Sequence, residues 1–280
     1  MAQNQTYTFT NEIDTLEIGS LGAKIIVRAN DSEGIRAEYS NPQDYPEFAA
    51  TLSGKTLALK EQFSLNIFGN KPSDDHTITV YIPALSELAL KINTASGGAD
   101  VSSVTAKSLD LNTASGSISV NAFFDTVSVQ SASGNITLES PVQKRANSLK
   151  TCTVSGSTTI VNYPAEKFSV HSVSGKTSMN GAVGEGSVSV TSGNVDIAYS
   201  EWNADLSVSV ISGNVNISLP EGAGFELKYD GISGVLKTDV GCDKGSLLTL
   251  GKGTTGEFGG ENKHKLNVSL TSGTVVVAQN

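Results

Sequence analysis

The chain has 280 residues, of which 17% are charged and 6% aromatic, with 28 glycines and a net charge of −9. Its 19 Lys and Arg residues are scattered. That excludes a phosphate-neutralising surface for nucleic acid and docking on anionic lipid. No apolar run reaches the ~20 residues of a membrane span, so direct membrane insertion is not expected.

The first ten residues lack the basic and apolar regions of a signal peptide. As written, the chain is expected in the cytoplasm; removal of a leader would place it at the cell surface. Cys152 and Cys242 belong to no Cys-x-x-Cys pair, which favours two free thiols over a disulfide.

Residues 1–87 are the less regular part. Leu16–Ile18, Lys24–Arg28, Ile35–Tyr39 and Leu57–Lys60 alternate and are β-branched enough to read as strands. Asn41–Pro46 and Asn70–Asp75 read as loops. Gly22 and Ser53-Gly54 resemble worn copies of a corner that becomes regular later. Eight of the 16 Phe and Tyr residues lie before position 88. Their concentration suits a bulkier end cap on a repeat array, because terminal repeats must hide an open edge. Thr77–Pro83 is a strong strand that stops at proline.

From residue 88 one phrase recurs. It is Ser-Gly, at Ser96-Gly97, Ser115-Gly116, Ser133-Gly134, Ser155-Gly156, Ser174-Gly175, Ser192-Gly193, Ser212-Gly213, Ser233-Gly234 and Ser272-Gly273. The steps are 19, 18, 22, 19, 18, 20, 21 and 39 residues, with Lys252-Gly253 where a further copy is expected. With each serine as position zero, positions −6 and −4 are apolar, as in Leu109/Leu111 and Leu206/Val208. Positions +3 and +5 are apolar too, as in Ile118/Val120 and Val215/Ile217. Each arm is therefore a strand with one buried face.

The parity shifts by one across Ser-Gly, so the chain must bend there, with glycine in a conformation closed to other residues. The same parity places the corner serine inward, where its hydroxyl would bond backbone at the bend. Val104, Phe123, Tyr163, Val183 and Trp202 are expected to plug the opposite turn.

A 19–20-residue period with two strands per turn predicts an all-β chain, a right-handed parallel β-solenoid of the β-helix or β-roll kind. Residues 1–87 are its irregular N-terminal cap and residues 88–280 its repeats, in one continuous domain. An antiparallel sandwich would need two equivalent hairpin turns per strand pair. Here one corner is strictly Ser-Gly and the other varies. Val275–Ala278, the last strand in sequence, lacks a polar cap and is expected to be an open edge through which copies of the chain self-associate.

The unit Leu90-x-Ile92-x-Thr94-x-Ser96-Gly97, the strand end Ile82-Pro83 before it, and the recurring Thr/Ser-x-Ser-Gly-x-Ile/Val-x-Val/Leu resemble a bacterial β-strand-repeat family labelled "putative adhesin". The resemblance covers most of the chain. It implies a repeat scaffold and carries no catalytic motif to transfer.

His76, beside Asp74 and Asp75, reads as a solvated turn rather than a metal ligand; neither a metal site nor a cofactor is expected. Nine equivalent serines argue against a catalytic one. Outward positions +2 and +4 are flat and polar, and Asn135, Thr137, Asn194, Asp196, Asn214 and Asn216 are the candidate binding residues. The expected function is non-enzymatic binding of a glycan or a protein. A polysaccharide-active β-helix enzyme would need paired carboxylates in a groove. An intracellular structural or envelope-stress module would need no ligand.

Overall fold

The computed structural model describes residues 3–42, 47–62, 76–240, 244–245, 250–259 and 263–280. The expected Asn70–Asp75 loop, most of the Asn41–Pro46 loop and Cys242 lie outside them; Cys152 is a half-buried free thiol. The regular structure described is entirely β, arranged in two compact units, Met1–Val142 and Gln143–Asn280. Among the described residues, no helix is long and apolar enough to cross a membrane.

The N-terminal unit holds β1 (Gln3–Phe9), β2 (Thr15–Ser20), β3 (Lys24–Asn30), β4 (Ile35–Asn41), β5 (Glu47–Ser53) and β6 (Thr56–Gln62). It continues with β7 (Thr77–Pro83), β8 (Ala89–Thr94), β9 (Ala99–Ser115), β10 (Ile118–Ser133) and β11 (Ile136–Glu139). Arms preceding the corners form one parallel series, β6-β2-β8-β9-β10, and arms following them form another, β7-β3-β9-β10-β11. Antiparallel strands close the far end: β5 on β6, and β4 on β7 with β1 outside it.

Aromatic residues fill this cap, with Tyr39 stacked on Phe48 at 4.6 Å and Tyr7 beside both Phe9 and Phe48. Gly22 does mark a corner, since Ser20 pairs with Thr94 and Leu21 with the next coil's Ser96. Ser53-Gly54 does not. There the chain reverses in a tight hairpin, Ser53 opposite Thr56, with Gly54 at φ +57°.

The C-terminal unit holds β12 (Ala146–Ser155), β13 (Thr158–Val161), β14 (Ala165–Ser174), β15 (Thr177–Ala182), β16 (Glu185–Ser192) and β17 (Val195–Tyr199). After them come β18 (Leu206–Leu219), β19 (Phe225–Thr238), β20 (Lys244–Gly245), β21 (Leu250–Phe258) and β22 (His264–Gln279). Its pre-corner arms run β12-β14-β16-β18-β22-β19, all parallel. The last strand in sequence is thus internal, clamped between β18 and β19. The expected open edge at Val275–Ala278 does not exist, because the chain returns to fill the slot between two earlier coils. The expected corner at Lys252-Gly253 is absent as well. It lies in β21, which runs antiparallel to β19 and caps the series with β20.

The corners correct one expectation. Thr94, Thr113, Ser131, Thr153 and Ser172, at position −2, are buried, whereas positions −1 and zero both face out. Every corner serine is exposed. So are the apolar residues before them: Val154 and Val173 are about half exposed, and Ile232 is 79% exposed. The bend spreads over four residues, so two consecutive side chains lie on its outer side and inward parity resumes only at +3.

At the first two corners the inward hydroxyl at −2 does the bonding expected of the serine. Thr94 Oγ1 accepts from Gly97 N at 3.0 Å, and Ser20 Oγ accepts from Ala23 N at 2.7 Å. Among the corner serines, Ser96 donates to Leu21 O at 2.9 Å. Elsewhere the glycine N–H joins the ladder, as in Gly193 N to Ser212 O at 3.0 Å. Thr113, Ser131 and Ser172 at −2, together with the fully buried Thr151 and Thr177, have no protein partner for their hydroxyls among the described residues. Thr177→Val keeps the shape and removes an unpaired buried hydroxyl, and is expected to raise stability by about 1 kcal/mol in urea titration. Thr94→Val, which loses a made bond, is expected to lower it by a similar amount.

Candidate binding faces

The six predicted binding residues are placed on outward faces of the post-corner sheets. Asn135 and Thr137 belong to the N-terminal unit, on β11 and the turn before it, and both are exposed. The other four belong to the C-terminal unit, and the parallel register brings them together there. Asp196 stands opposite Asn216, which stands opposite Val276; Asn214 stands opposite Thr274.

These side chains bond along the stack. Asn216 Nδ2 donates to Asp196 Oδ1 at 2.6 Å, and Asn194 Oδ1 accepts from Asn214 N at 3.2 Å. Lys176 Nζ lies 2.8 Å from Asp196 Oδ2. Partial burial alone would raise the Asp196 pKa; the Lys176 ammonium and the Asn216 amide outweigh it and hold the carboxyl below its ordinary value.

Asp196 and Asn216 border an open depression of about 250 Å³. Its polar margin includes Asn180 and Ser218, and Ala198, Val276 and Ala278 supply an apolar floor. Val276 and Ala278 come from the inserted strand β22, so the depression exists only because that strand lies beside β18.

A second constellation was not legible in advance. His76, expected in a solvated turn, is fully buried, with Nε2 2.7 Å from Glu61 Oε1 in an ion pair whose side chains are both 0% exposed. Ser20 Oγ donates to Glu61 Oε2 at 2.6 Å, and Leu21 N donates to the same oxygen at 3.1 Å. Tyr39 OH reaches Glu61 Oε1 at 3.3 Å and accepts from Asn41 Nδ2 at 2.9 Å.

Burial alone would raise the Glu61 pKa; His76, Ser20 and the Leu21 N–H outweigh it and hold the carboxyl below its usual range. Burial raises the Tyr39 hydroxyl well above its usual value. A Ser, a His and a Glu meet here, but the serine bonds the carboxylate rather than the imidazole, and the group is sealed from solvent. That is not a nucleophile's arrangement. It fastens the first corner, residues 20–23, to the cap strands. The signal lay in Leu57-x-Leu59-x-Glu61, whose parity puts a carboxylate in the core, where it requires a partner.

Of the expected plugs, Val104, Phe123, Tyr163 and Val183 are buried. Trp202 is half-buried, packs edge-on to Tyr199 at 4.9 Å and donates to Gly224 O at 2.9 Å.

The sequence profile of the family described as Toastrack DUF4097 matches residues 13–278. Two solved structures are similar over nearly their whole length. A "putative adhesin" from Bacteroides fragilis is 11% identical with a TM-score of 0.50, over 99% of this chain and 97% of that one. A "putative lipid binding protein" from Parabacteroides distasonis is 12% identical with a TM-score of 0.50, over 99% and 96%. At such identities the likeness concerns the fold. A search of curated proteins finds no match.

Proposed function

The chain belongs to the Toastrack DUF4097 family, and from that premise we propose that it is a non-enzymatic repeat scaffold binding a glycan or a protein through an outward polar face. The observation that supports this reading is the Asp196–Asn216 stack, held by Lys176 at the edge of a depression with an apolar floor. A sugar ring or an extended peptide offers both hydrogen-bonding edges and an apolar face, which is what such a lining complements. The coils hold these groups at the ~4.8 Å strand spacing, so the surface is rigid before any ligand arrives and little ordering entropy is lost on binding.

The test is a glycan array with pull-down from the source cell alongside, using the intact chain and Asn194→Arg/Asn214→Arg/Asn216→Arg. The variant is expected to lose at least tenfold in affinity, about 1.4 kcal/mol, for whatever the intact chain binds. Its melting temperature should hold, since all three positions are exposed. Asn135→Arg examines the N-terminal unit's face in the same assay. Undiminished binding by the triple variant would remove this face from consideration.

A further inference from the structure

The opposite sheet of the C-terminal unit carries a different surface. Outward residues of β18, β22 and β19 stand in rungs, Ser207–Asn267–Lys228 and Ser209–Ser269–Asp230, with Lys265 opposite Glu226 at the end. Two open depressions, of about 630 and 310 Å³, lie over these rungs and adjoin at Lys228 and Asn267; Thr255, Gly256 and Glu257 of β21 border the larger. They follow one another across the strands as a groove.

The side chains of Glu226, Lys228, Asp230, Lys265 and Asn267 make no hydrogen bond or ion pair with the described residues. On the post-corner face, by contrast, Asp196, Asn216 and Lys176 are bonded to one another. The hydrogen-bonding groups of this groove are therefore uncommitted.

Their charges also select. Lys228 and Lys265 offset Glu226 and Asp230, and Glu257 beyond them is paired with Lys263 at 2.9 Å. The groove has no net sign with which to draw an ion. What it presents is an alternation of donors and acceptors, ~4.8 Å apart across strands and ~6.8 Å apart along them. A hydroxyl both donates and accepts, so a chain bearing many hydroxyls and no charge matches this array, whereas an anionic or cationic polymer leaves half of it opposed.

We propose that the groove over β18, β22 and β19 binds an extended neutral oligosaccharide, running across the strands over Asn267 and Lys228. The site is separate from the Asn194–Asn214 face, and each is testable without the other.

The experiment titrates the intact chain, by calorimetry and by chemical-shift mapping, with neutral hexasaccharides of glucose, N-acetylglucosamine, mannose and xylose. Hexagalacturonate, a heparin-derived hexasaccharide and an unrelated neutral peptide are the comparisons. Saturable binding of at least one neutral hexasaccharide is expected, weakened at least tenfold in Lys228→Ala/Asn267→Ala, with an unchanged melting curve and no effect of Asn194→Arg/Asn214→Arg. Four results would each overturn the proposal. They are no saturable binding of any neutral hexasaccharide at millimolar concentration, binding of the acidic sugars or the peptide alone, insensitivity to the double variant, and loss of binding through the post-corner variant instead. Shifts confined to residues 207–209, 226–230, 255–257 and 265–269 would locate the ligand even if the double variant proved poorly soluble.

Discussion

Gly213→Ala is expected to be among the most destabilising single changes in the C-terminal unit. Gly213 has φ +150°, a conformation that L residues rarely adopt, and a Cβ built there falls on the carbonyl oxygen of Gly193 in the coil below. Gly193 stands in the same relation to Gly175, and Gly273 to Gly213. The corner glycines thus stack backbone on backbone, and a methyl group would have to push two coils apart. Backbone strain and overpacking together predict a loss of about 3–6 kcal/mol, read as a fall in the urea midpoint.

Two controls separate the causes. Gly222 has φ +75° with nothing within 4 Å of its added Cβ. Gly222→Ala should therefore cost only the conformational part, about 1–2 kcal/mol. Ser212, exposed beside Gly213, should tolerate alanine within about 0.5 kcal/mol. A Gly213→Ala protein as stable as the Gly222→Ala one would refute the stacked-corner account.

Glu61→Ala is expected to cost the N-terminal unit about 3–5 kcal/mol, because it leaves His76 buried without its ion-pair partner. It also removes the acceptor for Ser20 Oγ and Leu21 N, loosening the first corner. Replacing both partners, as Glu61→Met with His76→Leu, should recover much of that loss, since an apolar pair carries no desolvation penalty.

The pH dependence has a definite sign. Glu61's carboxyl is held below its unfolded value. Its contribution is therefore fully present above the unfolded carboxylate's titration and is lost as pH falls through the lowered folded value. Denaturant midpoints measured from neutral to acid pH should fall less steeply in Glu61→Gln than in the parent protein. Equal slopes in the two proteins would show that Glu61 is not linked to folding.

Much of the fold was legible from the repeat. Period-two alternation on both sides of Ser-Gly identified the strands and their buried faces, and the parity shift identified the bend. The aromatic residues before position 88 marked the cap that β1, β4 and β5 form. The inward serine was misplaced because a strict parity count assumes the strand stays extended up to the glycine, whereas the bend begins one residue earlier. His76 was misread because its local neighbours are polar, while the residue that buries and pairs it, Glu61, is fifteen positions away.

Of the candidate binding residues, the +2 and +4 columns followed from periodicity. The rungs over Lys228 and Asn267 did not, because Lys228 and Asn267 become neighbours only when β22 lies against β19.

Periodicity specifies the coil: its length, its two buried arms, and a glycine wherever the backbone turns against the coil beneath. Which coil lies beside which depends on long-range packing. Every arm carries the same alternation, and a backbone ladder pairs any two such arms equally well, so sequence order cannot name the neighbours. They are chosen by the caps. In the N-terminal unit, β6 and β7 lie outside β2 and β3 and carry the antiparallel cap strands; in the C-terminal unit, β21 pairs with β19, and β22 returns into the slot beside β18. The depressions on both faces of the C-terminal unit are products of that return.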